Sequence, residues 1–527
     1  MLDPIKVYDA RWEIAEFDDA AVTRLFEATL AYGRLLGVDT VTLTRDARLG
    51  GPRVLELGIQ TALRLGFRVV ACTDPISTPQ SYFVTLRTTA RHPKTMGLAV
   101  TASHNPAQYI GIKFTVPTVQ AIGLDCGPLG GLTRVREIYH SGECFSDVAG
   151  GELHLVKHPT AEYVEHSLAA AGVKPGELAG LAVVLDAFHG SAGPEIWHAL
   201  TTAGVRVVPH RIIPNGQFPT GSPNPTSQGK MDAAREIAER ENAEVVLGID
   251  GDGDRIVFGD RRGILAAGFV TVPILRMLGS VPFSGSAEKG TDPLHAPLHA
   301  PKGSVPIFPE RKMGTDPKVL YDPKVNPLAL AEWGKLGVEP VLFRNGHSQI
   351  KDYMNQIGAL AGAEESGHYY HRLRYGNLSI SGENSILTIL LFLQAVKQSP
   401  SLLEQLWSLQ DQVFTTGEFN YQFADDAVRD RALTAAIGQL AENGARIQST
   451  TDDGIDLEGT VVQRGVRLTP GSVELASGWY AGYFRVATNE KGVVRSYLST
   501  GDEPFGRDLE ARTRKLLEGR FGGKVVD

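Results

Sequence analysis

Cysteine is scarce in this chain: Cys72, Cys126 and Cys144 are the only three, and none stands in C-x-x-C spacing. That excludes a disulfide framework and a thiolate metal site, and it fits a protein of a reducing cytoplasm. Long apolar runs are missing too. No segment holds about 18 uncharged apolar residues, and the opening MLDPIKVYDARWEIAE carries acidic residues but no apolar signal core. The expectation is a soluble cytoplasmic protein with no membrane contact. Basic charge is in deficit, with 52 Lys and Arg against 60 Asp and Glu. Nucleic acid is therefore not an expected partner, and a small anionic ligand must be held by a local cluster of cations. Oligomeric state is left open by all of this.

At 527 residues the chain is too long for one core, and roughly 100–200 residues per domain predicts about three to five domains. Three stretches share one grammar of a β-branched run ending in Asp, a helix-period segment, a glycine and a second apolar run. They are VTLTRDARLGG followed by LELGIQTALRLGFRVVACT, LAVVLDAFHGSAGPEIWHALTTAGVRVVPHR, and DPKVLYDPKVNPLALAEWGKLGVEPVLFR. Each reads as strand, loop, helix and strand, with Gly66, Gly204 and Gly337 ending the helices. Three successive mixed α/β domains of similar topology are expected, the alternative being one large doubly wound sheet. From about 280 to 317 the chain turns rich in Pro, Gly and His and reads as an insertion. His295 and His299 stand four apart there, but flanking prolines deny them the helix that would align them on a metal. After Ser399 the texture changes to a helix, LLEQLWSLQ, a charged helix and several strands, ending in the helical DLEARTRKLLEGRF. That reads as a fourth, α+β domain.

VVLGIDGDGDRIVFGD carries the strongest chemical signal. A buried strand delivers Asp250, Asp252 and Asp254 at alternate positions between glycines. Three carboxylates on one tight loop repel one another, so a hard divalent cation is the natural counter-charge, with a phosphate oxygen completing its coordination. An EF-hand is excluded, because Arg255 and Arg261 stand where its Gly and Glu are required. Arg255 is placed to hold the same phosphate. In AVTASHNPAQYIGIKF a strand runs into Ser103, His104 and an Asn-Pro turn. Ala102 and Asn105 replace the glycines of a hydrolase elbow. A serine carrying a phosphoryl group on an exposed turn is the better fit, with His104 and Lys113 as donors to a charge of about −1.5 to −2. Alone, the same turn also fits a mere strand terminator. GALAGAEESGHYYHRLRYGN places Glu364, Glu365, Ser366 and His368 on one loop, suited to the vicinal hydroxyls of a sugar and equally to a helix cap.

Together these motifs resemble the α-D-phosphohexomutase superfamily, most closely bacterial phosphomannomutase/phosphoglucomutase. TASHNP with GIKF is similar to its phosphoserine loop, DGDGDR to its magnesium loop and EESGH to its sugar-binding loop, in the family's order. KVYDAR resembles the family's opening motif, and residues 318–354 its third domain. The resemblance covers most of the chain and implies four domains around a central cleft: 1–150 with the phosphoserine loop, 151–262 with the magnesium loop, 263–399 with the sugar loop and the insertion, and 400–527 as a phosphate-binding lid.

The implied enzyme is an isomerase interconverting hexose 1-phosphate and hexose 6-phosphate, of glucose or mannose, with small sugar phosphates as partners. By resemblance, phosphorylated Ser103 shares Mg²⁺ with Asp250, Asp252 and Asp254, and a hexose 1,6-bisphosphate is intermediate and activator. His104, Lys113, Arg255, Arg11 and His347 surround the transfer. Tyr8, Lys324, Glu364, Ser366 and His368 bind the sugar, and Arg485, Thr488 and Asn489 hold the distal phosphate. Two positions depart from the family: Ala487 replaces the phosphate-loop serine, and Trp12 replaces the opening glycine. The alternatives are a phosphoglucosamine mutase, which usually reads EQSGH, and a non-catalytic sugar-phosphate binder.

Overall fold

Each of the three repeated stretches folds as a strand, a helix and a second, parallel strand. They are Thr40–Arg45, Gly51–Arg64 and Arg68–Pro75; Ala182–Asp186, Gly193–Thr202 and Arg206–His210; and Lys318–Tyr321, Pro327–Gly334 and Glu339–Leu342. Gly66, Gly204 and Gly337 follow the three helices at φ of +75°, +88° and +74°, the left-handed turn that ends a helix with least strain in glycine. The computed structural model describes residues 3–279, 317–441, 444–469, 472–487 and 491–526. The insertion expected at about 280–317, with His295 and His299, lies outside the described residues except for Pro317.

Among the described residues the strands form four sheets, not one doubly wound sheet. The first runs in the order Ala10–Glu13, Tyr109–Val116, Thr95–Val100, Thr40–Arg45, Arg68–Pro75 and Glu152–Leu155, with Gln120–Ala121 paired to Tyr109–Val116. The second runs Ile264–Leu265, Ile256–Gly259, Val245–Ile249, Ala182–Asp186 and Arg206–His210, and the third Glu339–Leu342, Lys318–Tyr321, Ala361–Ala363, Tyr369–Tyr375 and Leu378–Glu383. The fourth is an antiparallel sheet with helices Asp426–Leu440 and Glu503–Arg514 against it. The fold is therefore three α/β domains followed by a sheet-rich α+β domain.

Two segments cross the expected domain limits. Glu152–Leu155 pairs in parallel with Arg68–Ala71 of the first sheet, since an edge strand must find a partner for its backbone groups. The helix Leu402–Gln410 buries Leu402, Leu406 and Trp407 in the core shared by the second and third domains, and the Trp407 indole donates to Asp260 at 2.8 Å. We therefore propose domain limits after Val156 and after Val413. The helix expected at DLEARTRKLLEGRF starts earlier, at Glu503, where Asp502 accepts from the Phe505 amide, and ends in wide π-type turns over Lys515–Arg520.

In each α/β domain the loops at the carboxyl ends of the strands face the middle of the molecule, the usual place for a site in such sheets. Ser103 follows Thr95–Val100, Asp250 follows Val245–Ile249, and Glu364 follows Ala361–Ala363. Among the described residues no single helix is long and apolar enough to cross a membrane.

Candidate active site

Ser103 has φ of +52°, a left-handed backbone that costs a non-glycine residue about 1–3 kcal/mol unless its surroundings enforce it. Arg48 enforces it. This wholly buried guanidinium donates to the carbonyls of Ser103 (2.6 Å), Asn105 (2.7 Å), Pro106 (2.8 Å) and Tyr109 (3.0 Å), and its charge is met by Asp46 at 3.2 Å. Asp46 also accepts from Thr101 Oγ1 at 2.7 Å, and Thr101 Oγ1 accepts from the Ser103 amide at 2.9 Å. The turn expected to be exposed is instead drawn inward. Ser103 is only 2% exposed, while its neighbours His104 and Asn105 line the central cavity.

The Ser103 hydroxyl lies 3.2 Å from Asp250 Oδ2 and 3.2 Å from His104 Nδ1. Asp250, Asp252 and Asp254 are all buried, and they bring one carboxylate oxygen each within 4.8 Å of one another. The loop cannot do this without its glycines. A Cβ on Gly251 would stand 2.7 Å from the Ser103 carbonyl, and one on Gly253 (φ +80°) would meet the Ala192 Cβ at 2.5 Å. Lys113 Nζ enters the cluster, 2.8 Å from Asp252 and in contact with Asp254, and Thr78 Oγ1 donates to Asp252 at 2.6 Å. Burial and mutual repulsion push Asp250 well above the carboxylate range. At Asp252 burial also acts upward, but Lys113 and Thr78 outweigh it and hold this carboxyl far below that range. Asp252 Oδ1 and Asp254 Oδ1 are buried without a hydrogen-bond partner. Two orphaned anionic oxygens beside a third carboxylate are the donor set a hard divalent cation takes.

Above the cluster opens a cavity of about 2320 Å³ lined from all four domains, against about 300–1,000 Å³ for an ordinary ligand pocket. Arg11 reaches it from the first strand, donating to Asp9 and Asn105 at 2.8 Å each. Arg255 Nε donates to His368 Nε2 at 3.0 Å, tying the second domain to the third. Glu364 accepts from Asn345 Nδ2, the Gly346 amide and the Tyr370 hydroxyl, and burial with nearby Asp322 raises its carboxyl. His104, His347 and His368 are each held well below the usual imidazole value, first by burial and then by cations around them, so all three are neutral at physiological pH. Tyr8, Lys324, His347, Ser366 and Arg485 also line the cavity.

Residues 4–123, 161–263 and 308–413 match the models for phosphoglucomutase/phosphomannomutase alpha/beta/alpha domains I, II and III respectively, together more than half of the chain. The chain belongs to the phosphoglucomutase/phosphomannomutase family. It is a phosphohexomutase, an isomerase by class. It is 26% identical over 522 residues to a phosphomannomutase of Salmonella montevideo, spanning 97% of this chain and 98% of the relative. It is also 28% identical over 433 residues to a phosphohexose mutases protein of Xanthomonas campestris pv. campestris, spanning 81% and 84%. In fold it is similar to a phosphoglucomutase/phosphomannomutase family protein of Burkholderia thailandensis, with a TM-score of 0.73, 21% identity and coverage of 99% and 98%. The open form of a Paramecium phosphoglucomutase, parafusin, is similar at a TM-score of 0.67 and 13% identity, covering 98% of this chain and 95% of that one.

In this phosphohexomutase the expected residues converge, with two differences and two gaps. Lys113, expected as a donor to a phosphoserine, spends its ammonium on Asp252 and Asp254, since a buried lysine needs buried counter-charge. Glu365 lines the cavity beside Glu364, but of the two readings of this loop its carboxylate takes the helix cap. Its Oε1 accepts from the Ala267 amide at 3.0 Å and its Oε2 from the Gly268 amide at 3.3 Å, so it caps the helix Ala267–Leu278, and burial raises it to about 7. Thr488 and Asn489 lie outside the described residues. Sequence reasoning missed Arg48, the role of Asp46, which it read only as the end of a strand, Thr78 and Glu418. For the first two the signal was Asp-x-Arg directly after the strand, whereas nothing local marks Thr78 or Glu418.

Proposed function

We propose that this phosphohexomutase interconverts hexose 1-phosphate and hexose 6-phosphate, with glucose or mannose as the sugar, through a phosphoryl group on Ser103. Hexose 1,6-bisphosphate serves as intermediate and activator. The observation that carries this reading is the 3.2 Å approach of Ser103 Oγ to Asp250, two residues 147 apart in sequence. A lone structural serine has no reason to sit against one of three clustered acids, beside residues that line a large cavity.

On this reading Asp250, Asp252 and Asp254 hold Mg²⁺, which when bound offsets phosphoserine charge and polarises the phosphorus. The 6-hydroxyl of hexose 1-phosphate attacks that phosphorus: its O–P bond forms as the Ser103 Oγ–P bond breaks. The hydroxyl proton passes to neutral His347, whose buried Nε2 has no hydrogen-bond partner, and the Ser103 oxygen is reprotonated within the site. The transition state spreads charge over the equatorial oxygens, so Arg11, Arg255, Lys113 and His104 act by position and electrostatics. Glu364, Ser366, His368 and Tyr8 read the sugar ring, and Arg485 with Lys324, Thr488 and Asn489 grips the distal phosphate. The bisphosphate then turns end for end, for which a cavity of about 2320 Å³ leaves room, and returns its other phosphoryl group to Ser103. Glucose or mannose is preferred to glucosamine on the overall sequence resemblance, because Glu365, in its helix cap, does not discriminate between them.

Intact mass of the purified protein tests the reading. One extra phosphate that maps to Ser103 and leaves on addition of sugar monophosphate is expected, as is loss of at least about 10³-fold in kcat for Ser103→Ala, since the covalent route is gone. Normal turnover of that variant with glucose 1-phosphate would remove Ser103 from the mechanism.

A further inference from the structure

The fourth domain sends an acid, not only bases, into the cavity. Strand Phe414–Gln422 loses register between Thr415 and Glu418 against its partner Val493–Thr500, with Gly417 at φ +65°. Such a bulge turns a side chain out of the regular alternation, and here it aims Glu418 at the cavity. Glu418 Oε1 accepts from Arg495 Nη1 at 2.9 Å, and Oε2 accepts from Lys324 Nζ of the third domain at 3.1 Å. Arg485 is the direct cross-strand partner of Arg495, a like-charge pairing that is unfavourable unless an anion sits between the two. Burial would raise the Glu418 carboxyl, but Lys324, Arg495 and Arg485 outweigh it and bring it down to about 2, so the group is a permanent anion. Side-chain exposures of 15% for Lys324 and 27% for Glu418 make the bridges wet and displaceable.

We propose that Glu418 is an internal stand-in for substrate phosphate, engaging Lys324 and Arg495 in the free enzyme and yielding them when a sugar phosphate arrives. The proposal rests on reading Arg485 and Lys324 as the distal phosphate subsite. It lowers the positive charge of the empty subsite, and it sets the affinity for phosphate below what the cations alone would give.

The test measures KM for glucose 1-phosphate and the competitive inhibition constant of inorganic phosphate in Glu418→Gln, Glu418→Asp and Arg485→Ala. Glu418→Gln is expected to lower both constants by about threefold to tenfold, the scale of two partly exposed ion pairs, with Glu418→Asp staying near wild type because it keeps the charge. A rise in both constants for Glu418→Gln would make Glu418 an organiser of the cations and overturn the proposal, and unchanged constants would show that it does not compete with phosphate. Arg485→Ala, expected to raise both, separates the underlying reading. If it leaves them unchanged, the distal subsite itself is misassigned, whatever the Glu418 variants do.

Discussion

Lys113 shows how a single buried charge organises this site. Its ammonium is 2% exposed and bridges Asp252 and Asp254, and burial, which favours the neutral amine, is overcome by the two carboxylates, so its pKa rises well above that of a free lysine. Removing one partner from such a cluster costs about 3–5 kcal/mol, because buried charge is left uncompensated. Lys113→Met is therefore expected to melt lower than wild type in chelator and to gain more from added Mg²⁺. Thermal unfolding with and without the ion checks this, and equal gains in both proteins would mean that ammonium and cation do not share the carboxylates. Glu195 is a buried acid with a readable consequence. Burial lifts its carboxyl to about 8 from 4.5, against the hydrogen bonds from Ser77 that lower it. The folded protein thus keeps a proton that the unfolded chain releases between those values. The resulting stability is whole below pH 4.5 and is lost as pH rises through 8, about 1.4 kcal/mol per unit. Glu195→Gln should flatten the fall in denaturation midpoint between pH 5.5 and 8.5, and an unchanged slope would assign the titration to another group.

At the scale of elements, the same device occurs three times. Asp186 ends, and Asp46 and Asp322 directly follow, the first strand of a repeated unit, and each holds a loop rather than a ligand. Asp46 binds Arg48 under the Ser103 loop, Asp186 binds Arg211, and Asp322 accepts from the Glu365 amide at 2.9 Å and from Asn345 at 2.7 Å. Repeated folding explains why the strand-ending aspartates were legible in sequence. Their partners were not, because Arg48 and Arg211 meet them only through the turn geometry that follows. Glu365 belongs to the same scale: its carboxylate replaces the missing side-chain cap of the helix Ala267–Leu278. Glu365→Gln is expected to cost about 0.5–2 kcal/mol of stability, the value of a helix cap, and to leave relative rates on glucose, mannose and glucosamine 1-phosphates unaltered. A selective gain on the amino sugar would return Glu365 to substrate recognition.

For the whole molecule the decisive contacts run between domains. Glu458 of the fourth domain, itself at φ +55°, accepts from Tyr8 of the first at 3.1 Å and from Arg344 of the third at 3.1 Å. Arg344 in turn pairs with Asp125. A strained residue thus ties the fourth domain to the first and the third at once, and we propose that this clasp holds the fourth domain closed over the cavity. Glu458→Ala is expected to enlarge the radius of gyration of the free protein in solution scattering and to raise KM severalfold, since closure must then be driven by substrate alone. Unchanged scattering and KM would show that the clasp does not govern closure.

Sequence alone determined what lies within one strand, turn or helix. The alternate aspartates, the glycines between them, the glycine helix ends and the strand–helix–strand repeat all depend on neighbours a few residues apart, and so does the resemblance that named the family. Tertiary structure alone decided that Lys113 serves the acids, that Ser103 is pulled under the surface by Arg48, which helix Glu365 caps, and that Glu418 faces Lys324 and Arg495. Each of these is a choice of partner for a buried or half-buried charge. Such a choice is settled by whichever counter-charge the folded chain brings close, often more than 90 residues away, and no local pattern encodes it.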